Sequence, residues 1–195
     1  MILSRPEIRK AVPIPHPAMA SFNARAKAQG WPFSCLPAEA FEQPELETVC
    51  TLWHDKAKER SMPDRADLSA RVMKPWLTHM SLIEHMPGQG AGRYRVRLHG
   101  SALARYAGDV TGKCLEEVIT PAHLAGYIAI YDLVRETRTP LRVISQYIAP
   151  EIAYLTGESF VAPVAHGDGG ILILSVTYPK PRADLAAASR SSSFG

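Results

Sequence analysis

Residues that could bind a metal or act as nucleophiles are few in this sequence and lie far apart. The three cysteines, Cys35, Cys50 and Cys114, form no Cys-x-x-Cys pair, so neither a disulfide framework nor a zinc site is expected. His79 and His85 do not have the i, i+2 spacing of metal ligands on a strand, and we expect both rings to be solvated. No cluster of acid, base and nucleophile accompanies residues 93–112, where the apolar pattern is most regular. The residue types therefore favour binding over catalysis.

Seven residues form a candidate ligand pocket. Apolar side chains alternate with Arg and His from residue 93 to 99, which predicts a strand with one buried face. After Gly100 the apolar period becomes helical, so the strand passes through a glycine hinge into a short helix. The candidate pocket residues are Tyr94, Val96 and Leu98 on the strand, Leu103 and Tyr106 on the short helix, and Tyr127 and Tyr131 on a later, longer helix.

These pocket residues have two interpretations. Each aliphatic one is explained more simply as core filling, whereas the tyrosine hydroxyls need partners when buried and favour a polar pocket. Alternation places Arg97 on the opposite face of the strand, where we expect a structural ion pair with Asp64 or Asp67. A side chain in place of Gly100 should be costly, because the backbone turns sharply there.

Composition excludes several classes of protein. With 195 residues, 46% of them apolar, the chain has room for one domain with a real core and an extension. Lys and Arg number 22 against 19 Asp and Glu, and the positive charges are scattered, so nucleic acid is not expected as a partner. The first residues lack an apolar run of signal-peptide length, and no stretch approaches the roughly 18 apolar residues of a membrane span. We expect a soluble, cytoplasmic protein without a membrane partner.

Residues 1–44 are predicted to be a proline-rich extension. They hold seven of the sixteen prolines, each of which fixes φ and removes a backbone donor, so little regular structure is expected beyond a possible helical turn near residues 18–29. The extension is either an arm that docks through Trp31 and Phe33 or a loosely packed leader, which we favour. At the other end, residues 179–195 are rich in Ala and Ser and are expected to form a disordered tail.

A leading helix is predicted from Glu45 to Arg60. Its apolar residues recur at helical spacing, with acidic residues in the first turn and basic residues in the last. The apolar stripe is narrow, so the helix must lie either on its own domain or against its copy in a homodimer. In the second case Val49 and Trp53 are the candidate dimer contacts.

The order of the elements predicts an α+β domain over residues 45–178. A short helix from Leu68 to Trp76, ended near Pro75, precedes two strands joined as a hairpin. The long helix from Pro121 to about Thr137 follows, and then three strands, the last two paired through a glycine-rich turn. The helices must cover one face of the sheet, and the leading helix, the extension or a partner must cover the other.

Five short segments share their order and spacing with a known family. They are Leu52-Trp53, Met62 to Leu68 (MPDRADL), Arg97 to Ser101 (RLHGS), Ala107 to Gly112 (AGDVTG) and Pro163 to Gly169 (PVAHGDG). Residues 46–178 thereby resemble the PAS domains, specifically a bacterial type in which the PAS domain makes up nearly the whole protein. The resemblance implies a PAS-like five-stranded antiparallel sheet with helices across one face and a pocket between them. It also implies sensing or protein contact without chemistry, with Arg97, Gly100 and Gly112 as structural motif residues.

No cofactor is expected from the resemblance. Flavin-photosensing members carry a reactive cysteine within Asn-Cys-Arg-Phe-Leu-Gln, whereas Cys114 is followed by Leu-Glu-Glu, so no flavin adduct is expected. Haem-binding members use a histidine on the long helix. His123 lies on that helix, but in its first turn and close to solvent, and haem through His123 is an alternative to a plain solvated ring.

The leading hypothesis is a sensory or interaction domain that binds an unidentified small molecule, an effector protein or both. Its output would pass through a separate partner, and a homodimer is the expected assembly. The rival is a small α+β enzyme of the isomerase or hydratase type, which would need an Asp, Glu or His with a perturbed pKa inside the cavity; the predicted inward faces offer none. A purely structural dimerisation module is the third possibility, which a filled interior would favour.

Overall fold

A computed structural model describes residues 17–86, 94–147, 153–167 and 169–182. These residues form an α+β fold around one antiparallel sheet with the strand order β1-β4-β5-β6-β2-β3. The strands are β1 (Phe33–Pro37), β2 (Met80–His85), β3 (Tyr94–His99), β4 (Leu141–Gln146), β5 (Leu155–His166) and β6 (Gly170–Pro181). The helices are α1 (Pro17–Gln29), α2 (Pro44–Ala57), α3 (Ser101–Ala107), α4 (Leu115–Val118) and α5 (Pro121–Thr137), with a 3₁₀ helix at Lys74–His79. The predicted fold class is confirmed, with β1 added to the five strands expected.

Helix α2 and the 3₁₀ helix cover one face of the sheet, which we call the outer face. We call the apolar cluster between this face and the two helices the outer core. The stripe of α2 packs against β5, where the Trp53 and Phe160 rings lie edge to face at 6.5 Å. Trp53 Nε1 donates a hydrogen bond to the Pro163 carbonyl at 2.9 Å. Val49 and Trp53 are only 1% and 3% exposed within a single chain, so the stripe of α2 lies on its own domain, which is one of the two positions expected for it. The reason is that the face of the sheet that α2 covers is apolar.

A buried carboxylate fixes the start of α2 on the sheet. Glu158 of β5 has no exposed surface. It accepts hydrogen bonds from the backbone N–H groups of Glu42 and Gln43, both at 3.0 Å, and from Arg142 Nε at 2.6 Å. The side chain of Glu42 in turn pairs with Arg142 and Lys180. A buried charge needs such partners, and here they join α2 to β4, β5 and β6.

The N-terminal extension is folded onto the sheet from residue 17 onward. β1 pairs antiparallel with β4 at the sheet edge, and α1 packs beside it with Phe22 buried. Asn23 joins the two elements: its amide donates to the Cys35 carbonyl at 2.7 Å and accepts from the Cys35 N–H at 2.8 Å. The interpretation as a loosely packed leader is therefore wrong here. The prolines do not prevent structure, because Pro17 opens α1 and Pro37 ends an edge strand.

A β-bulge in β3 changes which side chains face each side of the sheet. Leu82 of β2 pairs with Leu98, but Ile83 pairs with Val96, so Arg97 is an extra residue on β3. Before the bulge, Val96 belongs to the inner face. After the bulge, Leu98 packs into the outer core, and His99 faces the inner side of the sheet.

The ion pair of Arg97 is made with a partner that the sequence analysis did not name. Arg97 Nη1 lies 3.1 Å from Glu84 Oε1, and Arg95 Nη2 lies 2.7 Å from the other oxygen of the same carboxylate. The proposed partners Asp64 and Asp67 are not used, because Glu84 is on the neighbouring strand beside Arg95, while Asp67 pairs with Arg60.

Gly100 joins β3 to α3 at a point where no side chain fits. Its φ of −68° is open to any residue. A Cβ added there would lie 2.3 Å from the Thr78 carbonyl oxygen, and the Gly100 N–H donates to the Met80 carbonyl at 2.8 Å. The hinge is therefore required by close packing against the 3₁₀ helix rather than by an unusual backbone conformation.

Three further predictions concern short or terminal segments. The helix expected at residues 68–76 is a series of turns followed by the 3₁₀ helix, because Pro75 lies in the first turn of that helix rather than ending one. The tail predicted from residue 179 begins inside β6, while residues 1–16 and 183–195 lie outside the described residues. Within the described part of the chain, no helix combines the length and the apolar character needed to cross a membrane.

Candidate functional site

A cavity of about 200 Å³ lies between the inner face of the sheet and helices α3, α4 and α5. We call it the inner cavity, and the apolar cluster around it the inner core. Side chains of β2 to β6 form its floor, and side chains of the three helices form its roof. Phe33 of β1 closes one side, so the strand from the N-terminal extension is part of the wall.

Hydroxyl-bearing side chains form a polar row across the floor of the inner cavity. The Ser159 and Thr177 oxygens are 2.8 Å apart between β5 and β6, and Ser175 Oγ lies 3.4 Å from the same threonine oxygen. Ser81 of β2 is opposite Ser175 in the ladder, and its Oγ lies 3.0 Å from His99 Nδ1. The hydroxyl row, Ser81, Ser159, Ser175 and Thr177, thus offers groups that both donate and accept hydrogen bonds.

His99 lies at the β3 end of this row because of the bulge. Its Nε2 atom is buried and makes no hydrogen bond within the described residues. Burial lowers the pKa of His99, and the charge of Asp109 and the backbone of Leu103 oppose this shift only in part. The ring is therefore neutral near pH 7 and offers one donor and one acceptor nitrogen.

Tyrosines dominate the roof of the cavity. Tyr127 and Tyr131 lie one turn apart on α5, and burial raises the pKa of both phenols, so they stay protonated. No hydrogen bond contributes to either shift, although a buried phenol normally finds a partner. The Phe33 ring packs edge to face on Tyr127 at 4.8 Å. The roof is therefore aromatic, with two phenol groups.

Five of the seven predicted pocket residues line the inner cavity. They are Val96, Leu103, Tyr106, Tyr127 and Tyr131. Tyr94 does not line it, because its ring is buried in the inner core beside Tyr131 and its hydroxyl donates to Asp132 Oδ1 at 2.7 Å. Leu98 does not line it either, because the bulge turns it to the outer core.

Sequence reasoning missed the polar floor and one wall. Ser159, Ser175 and Thr177 were readable as hydroxyls inside otherwise apolar strands, spaced by two residues in β6. His99 could not be found this way, since strict alternation places it on the opposite face from Val96. Phe33 was not predicted to line the cavity, because the N-terminal extension was not expected to reach it.

The described lining of the inner cavity carries no charge. None of its described lining residues is an Asp, Glu, Lys or Arg, and no described residues form a group of three potential metal ligands. His123, the candidate haem ligand, is not among the lining residues; its Nδ1 lies 2.8 Å from Thr120 Oγ1 in the first turn of α5.

One comparison with known proteins gives a match. A family model described as a PAS domain matches residues 41–176. These residues include α2 to α5 and the strands β2 to β6, except for the last five residues of β6. No curated protein matches the sequence. The matched segment contains the roof of the inner cavity and its floor except Thr177, but not β1, which carries the Phe33 wall.

Proposed function

The chain belongs to the PAS domain family, and on that premise we propose that it is a sensory and interaction domain whose inner cavity binds a small molecule. PAS domains are generally non-catalytic sensory modules. Binding would change the packing around α5 and β1, and a partner protein would read that change. We propose no haem or flavin for the cavity, since neither His123 nor Cys114 lines it.

The inner cavity is the observation that carries this proposal. Protein interiors are closely packed, and few of their voids are larger than a water molecule. A space of about 200 Å³ left open beneath the helices is therefore unusual for a domain that only has to fold. A purely structural module would gain by filling the space with larger side chains, so the open interior supports a binding role over a structural one.

The lining also supports binding over catalysis. An isomerase or hydratase needs a positioned acid or base, and His99 is the only described lining residue with an ordinary pKa near neutrality. Its ring contacts Ser81, but no lining carboxylate orients the pair. We therefore propose that the domain has no catalytic output of its own.

A homodimer remains part of the proposal, with a contact other than the apolar stripe of α2. Val49 and Trp53 pack against their own sheet, so pairing must use another surface. Light scattering of the purified chain measures the assembly directly. A mass of twice 21.4 kDa supports pairing, and a mass equal to one chain removes this part of the proposal.

Mass spectrometry of small molecules released by unfolding tests the ligand-binding function. Val161 lies on the floor of the inner cavity, and Val161→Phe places a ring in that space. The wild type is expected to release a compound that the folded Val161→Phe variant does not carry. Identical small-molecule profiles for the two proteins would count against binding in this cavity.

A further inference from the structure

We propose that the inner cavity takes an uncharged molecule with a single flat ring and one or two hydrogen-bond acceptors. This inference rests on the proposed function and names the chemical class of its ligand. It is carried by three independent properties of the cavity: the absence of charge in its described lining, the position of phenolic hydrogen-bond donors, and the space between aromatic walls.

The charge of the lining excludes ionic ligands. Within the described residues, no lining side chain can pair with a carboxylate, a phosphate or an ammonium group. Tyr127 and Tyr131 stay protonated and His99 stays neutral, since burial raises the pKa of the two phenols and lowers the pKa of the imidazole. A charged ligand would lose its hydration and gain no counter-ion, which is costly in a buried site.

The polar groups select for acceptors. Tyr127 and Tyr131 are protonated phenols on the roof of the cavity, and no hydrogen bond contributes to the pKa shift of either. The hydroxyl row on the floor is already bonded within itself and to His99. A carbonyl or ether oxygen, or a ring nitrogen, would satisfy the phenols, whereas a hydrocarbon of the same shape would leave them unpaired.

The size and the walls select for one ring. A cavity of about 150 Å³ lined by aliphatic and aromatic side chains holds benzene, so about 200 Å³ holds one ring with a short polar substituent. Aromatic faces on the roof and on the β1 side favour a flat guest through edge and stacking contacts. Two fused rings with long substituents would not fit without displacing these walls.

The β1 wall gives this cavity a shape that the matched family segment alone does not provide. The Phe33 ring sits where α5 has a glycine: a Cβ on Gly126 would lie 2.7 Å from Phe33 Cε2. Phe33 and Tyr127 both line the cavity and contact each other. Because β1 precedes the matched residues 41–176, the extension narrows the space available to a ligand.

Three probes of similar shape test the inference on the full chain. Benzamide is neutral and carries a carbonyl acceptor, benzoate has the same outline with a negative charge, and toluene has no polar group. Dissociation constants are measured by ligand-observed NMR near neutral pH. Benzamide is expected to bind at least about tenfold more tightly than benzoate and several-fold more tightly than toluene, in line with the value of a satisfied hydrogen bond.

Phenylalanine substitutions identify the donors without removing the rings. The double variant Tyr127→Phe, Tyr131→Phe should weaken benzamide about fivefold and leave toluene unchanged. Tyr94→Phe is the matched control: it also removes a buried hydroxyl from the inner core, but one that bonds Asp132 outside the cavity, so benzamide affinity should not change.

Several outcomes would overturn the inference. They are benzoate binding as tightly as benzamide, toluene doing so, a double variant that binds benzamide like the wild type, and no binding of any probe. The first three leave the cavity as a binding site and reject only this ligand class. The proposed function fails separately, if the mass-spectrometric profiles of the wild type and Val161→Phe are identical.

Discussion

The two faces of the sheet carry cores of different character. The outer core is nearly filled, with a pocket of only about 10 Å³ beside Met73 and Val164. Trp53 bonds its one polar group to Pro163, and Phe160 beneath it has no exposed surface. The inner core surrounds a cavity of about 200 Å³ with hydroxyls on its floor and phenols on its roof. Neighbouring residues of β5 belong to opposite sides, so one strand contributes to both cores.

This difference separates stability from function within one sheet. Tight packing and satisfied polar groups on the outer face contribute the stability that offsets an open inner face. Substitutions in the outer core should therefore act on the free energy of unfolding, and substitutions around the inner cavity should act on binding. The following predictions test that separation, from the largest expected effect to the smallest.

Trp53→Ala should have the largest effect on stability. It removes a buried indole from the outer core and leaves the Pro163 carbonyl without its donor, so a loss of about 3–5 kcal/mol is expected. Urea unfolding of the wild type and the variant measures it. The opposite result would be a variant whose free energy of unfolding stays within about 1 kcal/mol of the wild type and which changes from dimer to monomer. That result would show that Trp53 lies in a contact between copies.

Gly100→Ala should lower the free energy of unfolding by nearly as much, because Gly100 lies between β3 and α3 and packs against the 3₁₀ helix. The added Cβ would lie 2.3 Å from a backbone oxygen of Thr78, which cannot move freely, and a loss of about 3 kcal/mol is expected. Gly112→Ala is the matched control: φ is +85° there but no atom lies within 4 Å, so the loss should be only about 1 kcal/mol. Equal losses in thermal unfolding would show that crowding at Gly100 is not the cause.

Two enlargements on β5 compare the cores directly. Val164→Phe overpacks the outer core and should cost about 1–3 kcal/mol. Val161→Phe places the same ring in the inner cavity and should change stability by less than about 1 kcal/mol. Urea unfolding of both variants gives the comparison, and a larger loss for Val161→Phe would mean that the inner face has no room.

The smallest expected effect is a pH dependence carried by His99. Burial lowers its pKa below the ordinary value of 6.5, so the unfolded chain takes up the proton first as the pH falls. The neutral ring therefore contributes stability above about pH 6.5 that is lost as the pH falls through that value towards the lowered pKa. Between about pH 7.5 and pH 5, the wild type should lose more stability than His99→Gln. Parallel pH profiles for the two proteins would contradict this.

Most of the fold could be predicted from the sequence where local signals agree. The long helix runs from Pro121 to Thr137 as predicted, because a hydroxyl residue followed by proline begins it and its apolar face is wide. The antiparallel sheet and its hairpins follow from alternation and turn residues. Five of seven pocket residues follow from the same patterns.

The remaining features depend on contacts between distant parts of the chain. Arg97 is one extra residue in β3, and it reverses the alternation of the side chains that follow it. His99 therefore faces the inner cavity in the position that Leu98 would otherwise take. Nothing in the local sequence pattern marks the bulge. β1 is a strand because β4 offers a free edge and Asn23 bonds the backbone of Cys35. The position of Trp53 depends on the apolar outer face of β5, so its stripe alone left two interpretations open.

A fragment screen by ligand-observed NMR on three proteins tests the central claim, that the inner cavity is the binding site, most directly. The wild type, Val161→Phe and Val164→Phe are screened with the same neutral and charged small molecules. Fragments that bind the wild type should lose binding to Val161→Phe and keep it with folded Val164→Phe, because only the first ring occupies the cavity. Unchanged binding to Val161→Phe would contradict the account.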